Sequence, residues 1–236
     1  MAARPAAGGG RWVDVDPARL PRWLDGFAAR HGPPSATVEA AVAEAAVMVV
    51  SLRAPDGSVA ILYPPPGAPD PESLDALVAE AARPRRLGLL LARQSAVGIG
   101  VAEGERLVAS KVDSSYVQGR TAAGGWSQHR FARRRENQAK AAAGGAADIA
   151  VRLLVPEVAR LTTVVTGGDR RAVDAVLGDP RLAPLAALRA DRFLEVPEPR
   201  LAVLERAVAA ARAVRILVRD IPLGGDMPVT SEHSVR

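Results

Sequence analysis

Three apolar runs, Arg86 to Ala92, Ala96 to Ala102 and Arg106 to Val112, follow one another with joints of only three residues. A joint that short cannot hold the crossover that parallel neighbours require, so the runs form an antiparallel meander. Beyond Pro156 the pattern changes. Leu161 to Thr166 predicts a strand, and Gly167-Gly168-Asp169 opens a helix that runs to Leu177. Asp191 to Val196 predicts a strand, Pro199 to Ala211 a helix, and Val214 to Val218 a final strand. Strands that alternate with helices belong to a partly parallel sheet with helices packed on it. The expected fold is therefore an α/β domain whose mixed sheet starts as a meander and grows through helical connections.

Upstream of the meander the elements are shorter. Arg11 to Val15 predicts a strand, and Leu20, Trp23, Leu24 and Phe27 recur at helical spacing within Pro17 to His31. Met48 to Leu52 and Val59 to Tyr63 flank Pro55-Asp56-Gly57, a hairpin signal because Asp-Gly tolerates the positive φ of a tight turn. Pro64-Pro65-Pro66-Gly67 forms a rigid linker, followed by a helix over Pro71 to Ala82. The expected organisation is a disordered start (1–10), an N-terminal α/β extension or subdomain (11–64), a main domain (65–221) and a loose tail (222–236).

Composition narrows the chemistry. There is no Cys, and His31, His129 and His233 are scattered, so neither a disulfide framework nor a metal site is expected, and no cofactor is implied. No stretch approaches the ~18 uninterrupted apolar residues of a membrane span. Met1 to Gly10 lacks the apolar segment of a signal peptide, so a cytoplasmic location is expected. Lys occurs only at Lys111 and Lys140, a preference for Arg that coding bias explains without function. The position of the charge is more telling. Between Gly119 and Ala142 the cations are Arg120, Arg130, Arg133, Arg134, Arg135 and Lys140, against Glu136 alone. That segment carries the whole +5 excess of the chain, a footprint suited to a polyanion.

The same segment begins as a polar, Gly-rich loop, Ser114 to Ser127, and leads into a long helix over Gln128 to Leu154, expected to break near Gly144-Gly145. Gly124 and Gly125 leave the backbone free to approach another molecule closely. Ser127 is suited to cap the helix, which puts Gln128 in its first turn, where unpaired N–H groups favour a phosphate or a developing oxyanion. On the helix, positions 130, 134, 137 and 141 share one face, with 133, 137 and 140 beside it. Trp126, flanked by Gly and Ser, suits base stacking.

The stretch Gln118 to Gln138 resembles the catalytic loop and basic helix of the actinobacterial Vms-like release factors, the VLRF family. That family is similar to the middle domain of eukaryotic and archaeal class-one release factors, which carry a Gly-Gly-Gln loop where Vms-like proteins have Gly-Ser-Gln. The resemblance covers most of Arg86 to Asp220 through the order of its elements. It implies a ribonuclease-H-like mixed sheet with flanking helices and a small N-terminal extension. It also implies peptidyl-tRNA hydrolysis on stalled ribosomes, with peptidyl-tRNA and the 23S RNA of the large subunit as partners. By position, Gln128 becomes the catalytic Gln, with Gly124, Gly125 and Ser127 in the catalytic loop. Arg120, Arg130, Arg133, Arg134 and Lys140 become RNA contacts, with Trp126 against a nucleobase. Trp126 and Ser127 stand between the Gly pair and Gln128, where the release-factor motif has nothing. A monomer without a membrane contact is expected.

Plainer readings accompany these. Gly pairs also occur at Gly144-Gly145, Gly167-Gly168 and Gly224-Gly225, and such pairs commonly mark turns. Gly167-Gly168-Asp169 lacks the spacing of a nucleotide-binding turn. His129 has no orienting carboxylate nearby in sequence, and Asp113, Asp148, Asp169 and Asp191 have no spacing that favours a two-metal nuclease centre. An endonuclease acting on the tRNA acceptor end and a non-catalytic ribosome-associated RNA-binding module are the alternative functions.

Overall fold

The computed structural model describes residues 4–7, 9–41, 47–93, 96–114 and 128–220, with the side chains of 128–137 outside the description. The described strands form two sheets. The first is built from β1 (Arg4–Pro5), β2 (Arg11–Val15), β3 (Ser35–Ala40), β4 (Met48–Arg53), β5 (Val59–Tyr63) and β11 (Val214–Arg219), in the order β1-β2-β11-β5-β4-β3. Every neighbouring pair is antiparallel.

Alternation along β2 and β11 puts Val13, Val15, Val214, Ile216 and Val218 on one face. Leu20 and Phe27 of α1 (Leu20–His31) and Leu77 and Ala81 of α2 (Leu74–Ala82) complete that core. The β4–β5 hairpin turns where the sequence places it, with Gly57 at φ 86° and the Asp56 carboxylate accepting from the Ser58 N–H at 2.8 Å. Helix α2 starts later than Pro71 because the Ser73 hydroxyl accepts from the Ala76 N–H at 3.1 Å, which fixes the cap there. β3 has no counterpart among the sequence expectations; it is an edge strand of small and polar residues, largely exposed.

Two expectations need correction here. The start of the chain is not wholly disordered: Arg4 pairs with Trp12 and Pro5 with Arg11 across a turn in which the Ala6 N–H donates to the Gly10 carbonyl. Arg4 then reaches the Asp14 carboxylate at 3.2 Å, a contact that holds this short strand in place. The final strand, β11, does not extend the mixed sheet. It is inserted between β2 and β5, with five register pairs on each side.

The second sheet holds β6 (Arg86–Arg93), β7 (Ala96–Glu103), β8 (Arg106–Asp113), β9 (Thr163–Gly168) and β10 (Arg189–Leu194), in the order β10-β9-β6-β7-β8. The meander β6-β7-β8 is antiparallel, while β9 runs parallel to β6 and β10 parallel to β9. This is the ribonuclease-H-like mixed sheet with flanking helices. Within the continuous apolar run of β6, Leu90 and Ala92 face α3 (Gln128–Leu153) and α4 (Arg170–Leu177), while Leu87, Leu89 and Leu91 face α6 (Leu201–Arg212). Burial on both faces explains why the strand reads as an unbroken run. A short helix, α5 (Ala183–Ala187), closes the α3 side through Leu185.

At the end of β9, Gly168 has φ 102°, and a Cβ there would lie 2.3 Å from the Ala92 carbonyl oxygen. Only glycine fits this approach. Asp169 follows with its N–H on Ala92 and its carboxylate capping α4 through the Ala172 N–H. The Gly-Gly-Asp signature therefore has a structural use, joining β9 to α4 against the end of β6.

Helix α3 is unbroken across Gly144-Gly145, contrary to the expected interruption. Both glycines are exposed and face open space, and the buried Ala146, Ala147, Ile149 and Ala150 that follow anchor the helix on the sheet. Packing thus overrides the cost of two glycines, each worth roughly 0.5–1 kcal/mol relative to Ala. Gly144→Ala with Gly145→Ala is expected to stabilise the chain by roughly 1–2 kcal/mol in total, read as a raised thermal midpoint. A lowered midpoint would show that this part of α3 is used in another conformation. An ionic clasp also holds α3: Arg181 pairs with Asp148 of the helix at 2.8 Å and with Asp179 at 2.7 Å. Hydrogen bonds from the Arg181 side chain and backbone hold the Asp179 carboxyl down at about 2.

Candidate functional site

The meander ends with β8 at Asp113, and α3 begins at Gln128. Between them, Arg120, Gly124, Gly125, Trp126 and Ser127 lie outside the described residues. Gln128, Arg130, Arg133 and Arg134 occupy the first two turns of α3, placed by its backbone, while their side chains, like that of His129, are outside the description. Lys140 is exposed on the same helix.

The burial of α3 is graded along its length. Gln138, Ala139, Lys140 and Ala141 are exposed, Ala142 and Ala143 are half-buried, and Ala146 is the first fully buried residue among the described side chains. At ~1.5 Å per residue, Gln128 stands about 27 Å along the axis from Ala146. The inner half of the helix is a core element, and beyond the exposed residues 138–141 its backbone continues as a stalk to Gln128. A helix start at Gln128 leaves the N–H groups of that first turn without intrahelical partners. Together with the dipole, they make an electropositive end continuous with the arginines behind it. Chemically, such an end can hold a phosphate or stabilise a developing oxyanion.

The acids considered for metal binding do not assemble. Asp148 is engaged by Arg181, Asp169 caps α4, Asp113 ends β8 and Asp191 lies on β10. Among the described residues, no three His, Asp or Glu side chains are grouped to share a metal ion. No described helix is long and apolar enough to cross a membrane.

A second concentration of arginines went unseen in the sequence. Arg192 of β10 and Arg215 of β11 meet at Asp14 of β2, joined by Arg4 of β1. Arg192 donates to the Asp14 carboxylate at 2.8 Å and to the Ala213 carbonyl, so it ties the two sheets together. The only sequence signal is an arginine interrupting each of two otherwise strand-like segments.

Comparison with known proteins adds a family. A family model described as the actinobacteria/chloroflexi VLRF1 release factor matches residues 85–217, from the start of β6 into β11. Among solved structures, the chain is similar to the archaeal translation termination factor aRF1, with 19% identity over 68% of this chain and 48% of that one, at a TM-score of 0.41. It is also similar to an archaeal protein, with 18% identity over 68% of this chain and 51% of that one, at 0.38. The Vms1 mitochondrial localization core shares 9% identity over 74% of this chain and 76% of that one, at 0.37. The chain spans about half the length of the two archaeal structures. No curated protein matches it.

Proposed function

The chain belongs to the actinobacteria/chloroflexi VLRF1 release-factor family, and from that membership we propose that it is a cytoplasmic peptidyl-tRNA hydrolase that frees nascent chains from stalled ribosomes or large subunits. The observation that carries the reading is the stalk: Gln128 is the first residue of a 26-residue helix whose inner half is locked into the core. The arginine-rich outer turns then bind 23S RNA and present the loop with Gly124, Gly125, Trp126 and Ser127 to the aminoacyl end of the tRNA. Phosphate contacts of this kind position a protein without reading sequence.

The proposed chemistry is hydrolysis of the ester between the peptide and the terminal ribose. Water attacks the ester carbonyl, the bond to the ribose oxygen breaks, and the products are a peptide carboxylate and a tRNA with a free hydroxyl. An amide is not basic at neutral pH, so Gln128 acts by orienting the water rather than by taking its proton. The Gln128 backbone N–H stabilises the tetrahedral oxyanion, a contribution typically worth ~3–4 kcal/mol. The neighbouring ribose hydroxyl of the substrate relays the proton to the leaving oxygen.

The deciding experiment adds the purified protein to large subunits carrying peptidyl-tRNA and sequences the tRNA 3′ end afterwards. An intact CCA end with released peptide is expected. A shortened end would assign the loop to RNA cleavage. Binding to the subunit with neither product would leave a non-catalytic RNA-binding module.

A further inference from the structure

The face of the first sheet turned away from α1 and α2 is not apolar. Alternation puts Trp12 and Asp14 of β2, Tyr63 of β5 and Arg215 of β11 on that side, with Asp14, Arg215 and Tyr63 in register across the three strands and Trp12 one pair along, opposite Leu217. Edge strand β10 of the second sheet stands opposite, and a cleft of about 750 Å³ lies between them. This volume falls in the range of small-molecule and cofactor sites.

The charge in the cleft is unbalanced. Arg4, Arg192 and Arg215 share one carboxylate, Asp14, at 3.2, 2.8 and 3.7 Å. Glu195 adds a contact to Arg4 alone, at 3.7 Å. Arg192 has a side chain only 9% exposed, and its Nε, like that of Arg215, is buried without a hydrogen-bond partner. Burial and the neighbouring cations pull the Arg192 guanidinium down to about 10. Arg170 adds a further cation, 4.3 Å above the Phe193 ring, and has no carboxylate partner among the described residues. Asp70 and Asp191 are the other acids on the wall. Arginines that lack a full complement of acceptors, held in a partly enclosed space, favour an anion with several oxygens.

The walls also offer rings. Trp12 and Tyr63 are 5.4 Å apart at 59°, and Phe193 faces the same space from β10. Cations interleaved with half-buried aromatics are the combination that single-stranded nucleic acid uses, with phosphate on arginine and base on ring.

From this juxtaposition we infer that the cleft between β2, β11 and β10 is a second binding site, specific for a nucleotide unit, with its phosphate on Arg4, Arg192 and Arg215 and its base against the Trp12, Tyr63 and Phe193 rings. The ligand is a nucleoside phosphate, either free or within single-stranded RNA. The site is independent of the α3 loop and does not require the release chemistry.

The test uses the full chain with Arg130, Arg133 and Arg134 replaced by Ala, so that stalk binding does not mask the cleft. Binding of a fluorescent single-stranded RNA hexamer is measured by anisotropy, with AMP, inorganic phosphate and an oligoglutamate peptide as competitors. In this background, Arg4→Ala with Arg170→Ala is expected to weaken binding at least tenfold, and a cooperative thermal transition checks that freeing β1, which Arg4 holds to Asp14, leaves the two sheets folded. Tyr63→Leu is expected to weaken the hexamer and AMP but not phosphate. Competition by AMP near the affinity of the hexamer identifies a free nucleotide as the ligand, and a hexamer far tighter than AMP identifies RNA. The inference is overturned by absence of binding, by affinity indifferent to the cleft substitutions, or by phosphate or oligoglutamate competing as well as AMP. Peptide release is assayed on the cleft substitutions made in the parent chain, with Arg130, Arg133 and Arg134 intact, and unchanged release there beside lost hexamer binding keeps the two sites distinguishable.

Discussion

Gln128→Ala is expected to reduce peptide release by roughly a hundredfold while leaving binding to the large subunit within about twofold of the parent. The substitution is well suited to separating chemistry from structure. Ala is the better helix former, so α3 keeps its first turn, and the backbone N–H at position 128 remains available to an oxyanion. What disappears is the side-chain amide, the group that would hold the attacking water against the ester carbonyl. The arginines at 130, 133 and 134 stay in place on the stalk, so the electrostatic part of binding persists. Single-turnover release measured beside a subunit-pelleting assay gives both quantities. Loss of binding and release together would make Gln128 a structural residue. Retained release would pass the water-orienting role to another group of the loop, with His129 the nearest in sequence.

Legibility follows the range of the interactions. The meander was readable because β6, β7 and β8 are adjacent in sequence with very short joints, and β6 and β7 are buried on both faces. The β4–β5 hairpin was readable because its turn chemistry is local. β11 was not, because its partners β2 and β5 lie more than 150 residues upstream, and Val-Arg-Ile-Leu-Val-Arg fits an edge of either sheet equally well. α3 was misread at Gly144-Gly145 because local propensity speaks against glycine there, while the burial of Ala146 to Ala150 is a tertiary effect. For the candidate site, the composition and charge of the loop and stalk were legible. The cleft was not, because its three central arginines come from β1, β10 and β11 and meet only through the placement of Asp14 on β2.

The placement of β11 leads to the second large effect. A fragment that begins at Gly67 is expected to fail as a soluble, cooperatively folding protein, although it retains the whole five-stranded sheet. It loses β1 to β5 and so strips β11 of both neighbours, with five register pairs broken on each side. Val214, Ile216 and Val218, all at most 1% exposed in the intact chain, become solvent-facing on a strand with two open edges. Leu77 and Ala81 of α2 lose the surface they pack on, and Arg192 loses Asp14 and is left with the Ala213 carbonyl among the described residues. A buried guanidinium without its carboxylate is strongly destabilising, by roughly 3–5 kcal/mol. The graded version of the same test is Phe27→Ala in the full chain. Phe27 is fully buried, against Trp23 at 5.6 Å and His31 at 4.7 Å, so its truncation is expected to cost about 3–5 kcal/mol. For a chain of this size that corresponds to a thermal midpoint lowered by roughly 6–20 °C. If the two sheets form one cooperative unit through β11, Phe27→Ala gives a single shifted transition seen alike by every probe. A soluble Gly67 fragment with its own sharp melt, or a Phe27→Ala chain that melts in two steps, would instead make the first sheet an accessory to an autonomous release-factor-like body.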